Sequence, residues 1–269
     1  MKKIISVCLA AVIAMALFAF PAFAESDVPY VYVTIADENG ELVLANQYVP
    51  LTSDGMTLDD ALRAAHEQFS DEEHGYVSEQ TQWGRSIVSL WGVENGGSYG
   101  YYVNDASAMS LLDEVKSGDR VCAFVYTDTM NFSDTYSYFD SHILYNLERG
   151  DEVTLTLMQA GFDENWMPVS LPVSGAVITV NGKATESITD ENGKVTIVLN
   201  DAGTLLISAQ KEGTNLVPPA CVANVEGLSN AMIGVMVGVV GFVIVLAIGV
   251  ALFIVLRTVK VAGKEKEDE

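Results

Sequence analysis

The residues best suited to holding a ligand are aromatic. Trp83, Trp91, Tyr99, Tyr101 and Tyr102 crowd between positions 83 and 102, and Asn104 closes the Tyr-Tyr-Val-Asn run that follows them. An aromatic ring offers a wide contact face while few torsions are fixed, and an Asn side chain adds both a donor and an acceptor. In a strand, successive side chains point to opposite faces. Tyr101 and Tyr102 must therefore diverge, one into a core and one outward. We expect Trp83, Trp91, Tyr99, Tyr101, Tyr102 and Asn104 to form a ligand platform. Core packing of the same rings is the competing expectation.

Catalytic constellations are weaker. Gly96-Gly97-Ser98-Tyr99-Gly100 matches G-x-S-x-G, but a nucleophile elbow needs a helix after the serine. A strand-like run follows here. His66 and His74 are eight residues apart, whereas two zinc ligands on one helix stand four apart. They read as part of a solvated acidic helix end. Asp-Glu-Asn-Gly occurs at Asp37 and again at Asp190. Both copies lie between strand-like runs, where Asn-Gly favours chain reversal, and neither carries the alternating carboxylates of a calcium loop. The expectation is a non-enzyme with no metal and no cofactor.

Stepping outward, Tyr30–Ala36 and Leu42–Val49 read as a hairpin. Thr57 and Asp60 read as a capping box, followed by an apolar stripe of Leu58, Ala61, Leu62, Ala65 and Phe69 at helical spacing. Tyr76–Arg85 reads as loop. Three β-rich runs come next: Ser86–Val93, Ser98–Val103 and Arg120–Tyr126. The order ββαβββ is that of a β-grasp domain, placed at 25–128. Asp128–Tyr145, with Phe132, Tyr136, Tyr138, Phe139 and Tyr145, is expected as a strand packed between domains. Further on, Glu152–Met158, Ala176–Asn181, Lys194–Leu199, Thr204–Gln210 and Cys221–Val225 are separated by turn residues. This spacing predicts an all-β sandwich of immunoglobulin type over 129–228. The expected fold class is therefore α+β: β-grasp, then sandwich, then one C-terminal transmembrane helix.

The ends support that last element. Residues 1–24 have the basic start, apolar run and Ala-Phe-Ala close of a signal peptide. Ala231–Leu256 carries no charge and is long enough to cross a bilayer, giving a transmembrane helix at 229–257. Arg257, Lys260, Lys264 and Lys266 would hold the tail, 258–269, in the cytoplasm. Gly234 and Gly238 form a GxxxG pair that favours a homodimer of such helices. The net charge of −22 excludes a nucleic-acid partner. Cys122 and Cys221 are too few for a disulfide framework and are expected as separate buried thiols.

The stretch Tyr30–Asp128 resembles the transcobalamin-like C-terminal domain, a β-grasp family. The resemblance rests on Gly55–Leu62 (GMTLDDAL), Ile87–Gly92 (IVSLWG), Tyr101–Asn104 (YYVN) and Ser117–Val121 (SGDRV). The family's W-x-Y-Y-V-N-G reads here with Tyr99 in place of Trp and Asp105 in place of the closing Gly. The second region is similar to bacterial immunoglobulin-like spacer repeats through Thr189–Thr196 and Gly203–Ala209. With the signal peptide, span and basic tail giving a single pass and domains outside, the resemblances add the expectation of a bacterial cell-membrane protein. Its β-grasp domain would capture a soluble ligand, a cobalamin or another corrinoid, as ligand and not as cofactor. The alternative is a cell-surface structural module, binding a protein or wall polymer and no small molecule.

Overall fold

The computed structural model describes residues 28–227, apart from 53, 54, 72 and 97. In chain order the first module holds β1 (Tyr30–Ala36), β2 (Leu42–Pro50), α1 (Leu58–Phe69), β3 (Val77–Thr81), β4 (Gly84–Ser89), β5 (Tyr99–Val103), β6 (Ala106–Ser107) and β7 (Arg120–Val125). Five strands form one sheet in the order β2-β1-β7-β5-β6, parallel only between β1 and β7. Helix α1 lies across it. Thr57 caps the helix: its hydroxyl accepts from the Asp60 N–H, and the Asp60 carboxylate accepts from the Thr57 N–H. Leu58, Ala61, Leu62 and Ala65 are fully buried against Val31, Val33, Ile35, Val121, Ala123 and Val125. That burial, and not helix propensity, holds a helix of only 12 residues.

The expected third strand, Ser86–Val93, departs from the sheet. It stops at Ser89, and β4 pairs back on β3 in a separate two-stranded hairpin, in a region expected as loop. The cause is the turn Leu90–Val93, where Trp91 and Gly92 both have positive φ, 53° and 79°. Gly92 is obligatory there, since a Cβ would stand 2.3 Å from the Glu73 carbonyl oxygen.

The second module begins with β8 (Thr135–Phe139), β9 (Ile143–Glu148), β10 (Glu152–Phe162), β11 (Pro168–Pro172) and β12 (Val177–Val180). It continues through β13 (Lys183–Ile188), β14 (Lys194–Val198), β15 (Gly203–Gln210), β16 (Leu216–Val217) and β17 (Cys221–Glu226). One sheet runs β11-β10-β8-β16 with β14 also on β10, and the other runs β13-β12-β15-β17-β9. Alternate residues turn inward, as a strand's period of two requires. Leu155 and Leu157 meet Ile178, Ile197, Leu205 and Ile207 in a second core. The two Asp-Glu-Asn-Gly segments fold alike. Asp37 accepts from the Asn39 and Glu41 N–H groups, Asp190 from those of Asn192 and Lys194.

The expected fold class is corrected by these elements. The described residues hold seventeen strands in four sheets and a single short helix, so the chain is β-rich where α+β with a membrane helix was expected. Among the described residues no helix is long and apolar enough to cross a membrane. The single-pass placement in a bacterial membrane is corrected on the same finding. Residues 1–24, the expected span 229–257 with Gly234 and Gly238, and the tail 258–269 lie outside the described residues. Cys122 and Cys221 are buried free thiols, one in each module.

Candidate functional site

The six residues expected as one platform fall in different places. Trp83 stands at the β3–β4 turn, 89% exposed. Trp91 is half-buried in its own turn; its N–H donates to His66 Nε2 and its indole packs beside His66 and His74. Tyr99 and Tyr101 both turn toward the core beneath α1. The Tyr99 hydroxyl donates to the carbonyl of Val88 (2.7 Å) or Val93 (2.8 Å), and so serves the turn. Tyr102 points to the opposite face, where Tyr136 of β8 stacks on it with centroids 3.8 Å apart. Asn104 and Asp105 form the two-residue β5–β6 turn, with φ of 49° and 67°. The Asn104 side chain accepts from the Arg120 N–H and donates to Asp119. Of the six, Trp91 borders a hollow, one of 330 Å³ shared with Asp37, Glu38, Glu73 and His74.

Nor does the geometry assemble catalytic groups from the motifs. Ser98 enters strand β5 and its N–H donates to Asn95 Oδ1. His66 Nδ1 donates to the Leu62 carbonyl at 2.6 Å while Nε2 accepts from Trp91, so both ring nitrogens are engaged. Burial pushes the His66 pKa down and keeps the ring neutral. Among the described residues no group of three or more His, Cys, Asp or Glu side chains could hold a metal ion.

What does gather is on the outer face of the first sheet, away from α1. The second module covers one end of that face. Ala36, Cys122 and Phe124 pack there against Tyr136 and Val217 in a small third core. Asp105 holds the second module farther along the face, beside Arg120. Its Oδ1 accepts from the Tyr136 hydroxyl (2.9 Å), and its Oδ2 meets Arg120 Nη2 and His142 Nε2 at 3.0 Å each. Burial alone would raise the Asp105 pKa; the bonds from His142, Tyr136 and Arg120 outweigh it and hold the carboxyl below its ordinary value. Asn46, at a bulge in β2 with φ 46°, donates from Nδ2 to the carbonyls of His142 and Ala220, both at 3.0 Å.

Toward Tyr30 and edge strand β2 the face stays open, and four tyrosines meet on it. Tyr30 and Tyr32 alternate outward along β1, because Val31 and Val33 face the core. Tyr48 is the cross-strand partner of Tyr32 on edge strand β2. Tyr30 stacks on Tyr48 (4.9 Å, 28°) and meets Tyr32 edge-on (5.4 Å, 78°). Tyr145 joins from β9 of the second module, 54% exposed. The neighbouring Tyr32 phenol raises the Tyr30 pKa, while burial and then Tyr145 raise that of Tyr32. Tyr30 and Tyr32 are therefore neutral donors and acceptors at physiological pH. Sequence reasoning passed over Tyr30, Tyr32 and Tyr48, although their i, i+2 spacing in Tyr-Val-Tyr put two rings on one face.

No family model matches the chain, and no curated protein matches it.

Proposed function

We propose that the chain is a non-catalytic binding protein that captures a soluble ligand on the tyrosine shelf of its first sheet. The observation that carries this reading is the convergence of Tyr30, Tyr32, Tyr48 and Tyr145 from both modules onto one open face. Such a surface combines apolar ring area with phenol groups that donate and accept. The net charge of −22 turns away polyanions, so the ligand is neutral or cationic. Corrinoids, the class implied by the resemblance, meet that condition. Calorimetric titration of the purified protein with cobalamin and cobinamide tests the reading, with Tyr48→Ala as the paired variant. Saturable heat that the variant loses supports it. Absence of heat at high micromolar corrinoid removes the corrinoid assignment.

A second reading is favoured by one feature: Trp91, Tyr99 and Tyr101 pack against the first core. In that reading the chain is a protein-interaction module and its ring-rich strands are structural.

A further inference from the structure

A crevice between the modules, separate from the tyrosine shelf, has a chemistry of its own. The β1–β2 turn leans over the outer face of the second module's β12–β15 pair and borders an open hollow of 470 Å³. That lies within the range of small-molecule sites, which favour junctions between structural units. A second hollow of 190 Å³ shares Gly40 and Thr214 with it and continues along the junction. On the floor, Thr179 and Ser208 are cross-strand partners, each 8% exposed, and both line the space. Leu42 and Leu206 give the crevice an apolar wall. The two modules contribute opposite charges to its rim: Glu41 comes from the first, Lys211 from the second. Lys211 is half-buried and makes no ion pair among the described residues.

We propose that this crevice binds a small zwitterion, a free amino acid or a dipeptide. Lys211 meets the carboxylate, Glu41 meets the ammonium, the two hydroxyls bond the ligand's polar atoms, and the apolar wall takes its side chain. A polyanion or polycation is disfavoured because either would leave one rim charge facing its like. Since the charges come from different modules, an occupied site also ties the modules together.

Calorimetry and thermal unfolding of the purified protein with leucine and leucyl-leucine as probes test the proposal. The expected result is single-site binding that raises Tm. Lys211→Gln and Glu41→Gln each weaken it by about tenfold, as loss of one charge-assisted contact does. N-acetyl-leucine amide, which lacks both charges, does not compete. Thr179→Val weakens binding less, and Tyr48→Ala leaves it unchanged, which separates this site from the shelf. The two rim variants lie on exposed or half-buried positions, so their unliganded Tm stays at the wild-type value. No binding of either probe at millimolar concentration overturns the proposal. Equal binding of the capped derivative, or of the rim variants, overturns it too.

Discussion

At one end of the first sheet Tyr102 lies beneath Tyr136; at the other, Tyr30 and Tyr48 lean on each other in the open, with Tyr32 and Tyr145 beside them. The two ends share a sheet, a face and a residue type. They differ in what surrounds the rings. Beneath the second module the phenols meet a buried carboxylate and apolar neighbours, so the Tyr102 pKa is pushed up to about 12 by burial, and the Tyr136 hydroxyl is held by Asp105. On the shelf the rings meet one another, and Tyr48 and Tyr145 stay in reach of solvent. A tyrosine on an outer sheet face thus becomes glue or open surface according to whether another element covers it.

The comparison is easiest to break at its covered end. Tyr136 is 6% exposed and stacked between Tyr102 and Tyr138. Tyr136→Ala removes the ring and leaves Asp105 without one donor. We expect a loss of about 4 kcal/mol, in the range for truncating a large buried aromatic, read as a lower urea midpoint. A loss below about 1 kcal/mol would mean that the junction is not a core.

Asp105 comes next. Removing the carboxylate leaves Arg120 and His142 facing each other at the junction, and Asp105→Ala should cost about 3 kcal/mol. The pH dependence carries a sign. The folded-state pKa of Asp105 is depressed, so its contribution is complete above the usual aspartate range. It declines as pH falls through the folded value. Wild type should therefore lose stability in acid more steeply than Asp105→Ala. Parallel acid limbs in the two proteins would remove Asp105 from the hub role assigned to it.

Much of this was legible residue by residue. The capping pair Thr57 and Asp60 and the stripe Leu58–Ala65 announced α1, because caps and helical period are local signals. The divergence of Tyr101 and Tyr102 followed from strand period alone, and the turns at Asp37 and Asp190 from their Asn-Gly pairs. The departure of β4 was not legible. It depends on Trp91 taking a positive φ, which bulky residues avoid; packing against His66 and His74 supports it, and that packing is tertiary. Strands β3, β11 and β13 were missed because nearly all their side chains are exposed or half-exposed, so they carry no apolar alternation to read. The platform was sought around residues 83–104 because the rings crowd there in sequence. The shelf instead joins residues from positions 30, 48 and 145, and long-range pairing places them together.

The smallest effect belongs to the open end and sharpens the contrast most. Tyr48 is 37% exposed on edge strand β2, where its ring meets Tyr30. Tyr48→Ala removes the stack on Tyr30 and a partly exposed ring, so its cost should stay under about 1 kcal/mol, against about 4 kcal/mol for Tyr136→Ala. Both variants delete a tyrosine ring from the same face of the same sheet. If their urea midpoints fall by similar amounts, the shelf is part of the fold's support and its claim to be a binding surface weakens. If Tyr48→Ala holds the wild-type midpoint, the Tyr48 ring is not there for stability, which is the outcome the proposed binding surface requires.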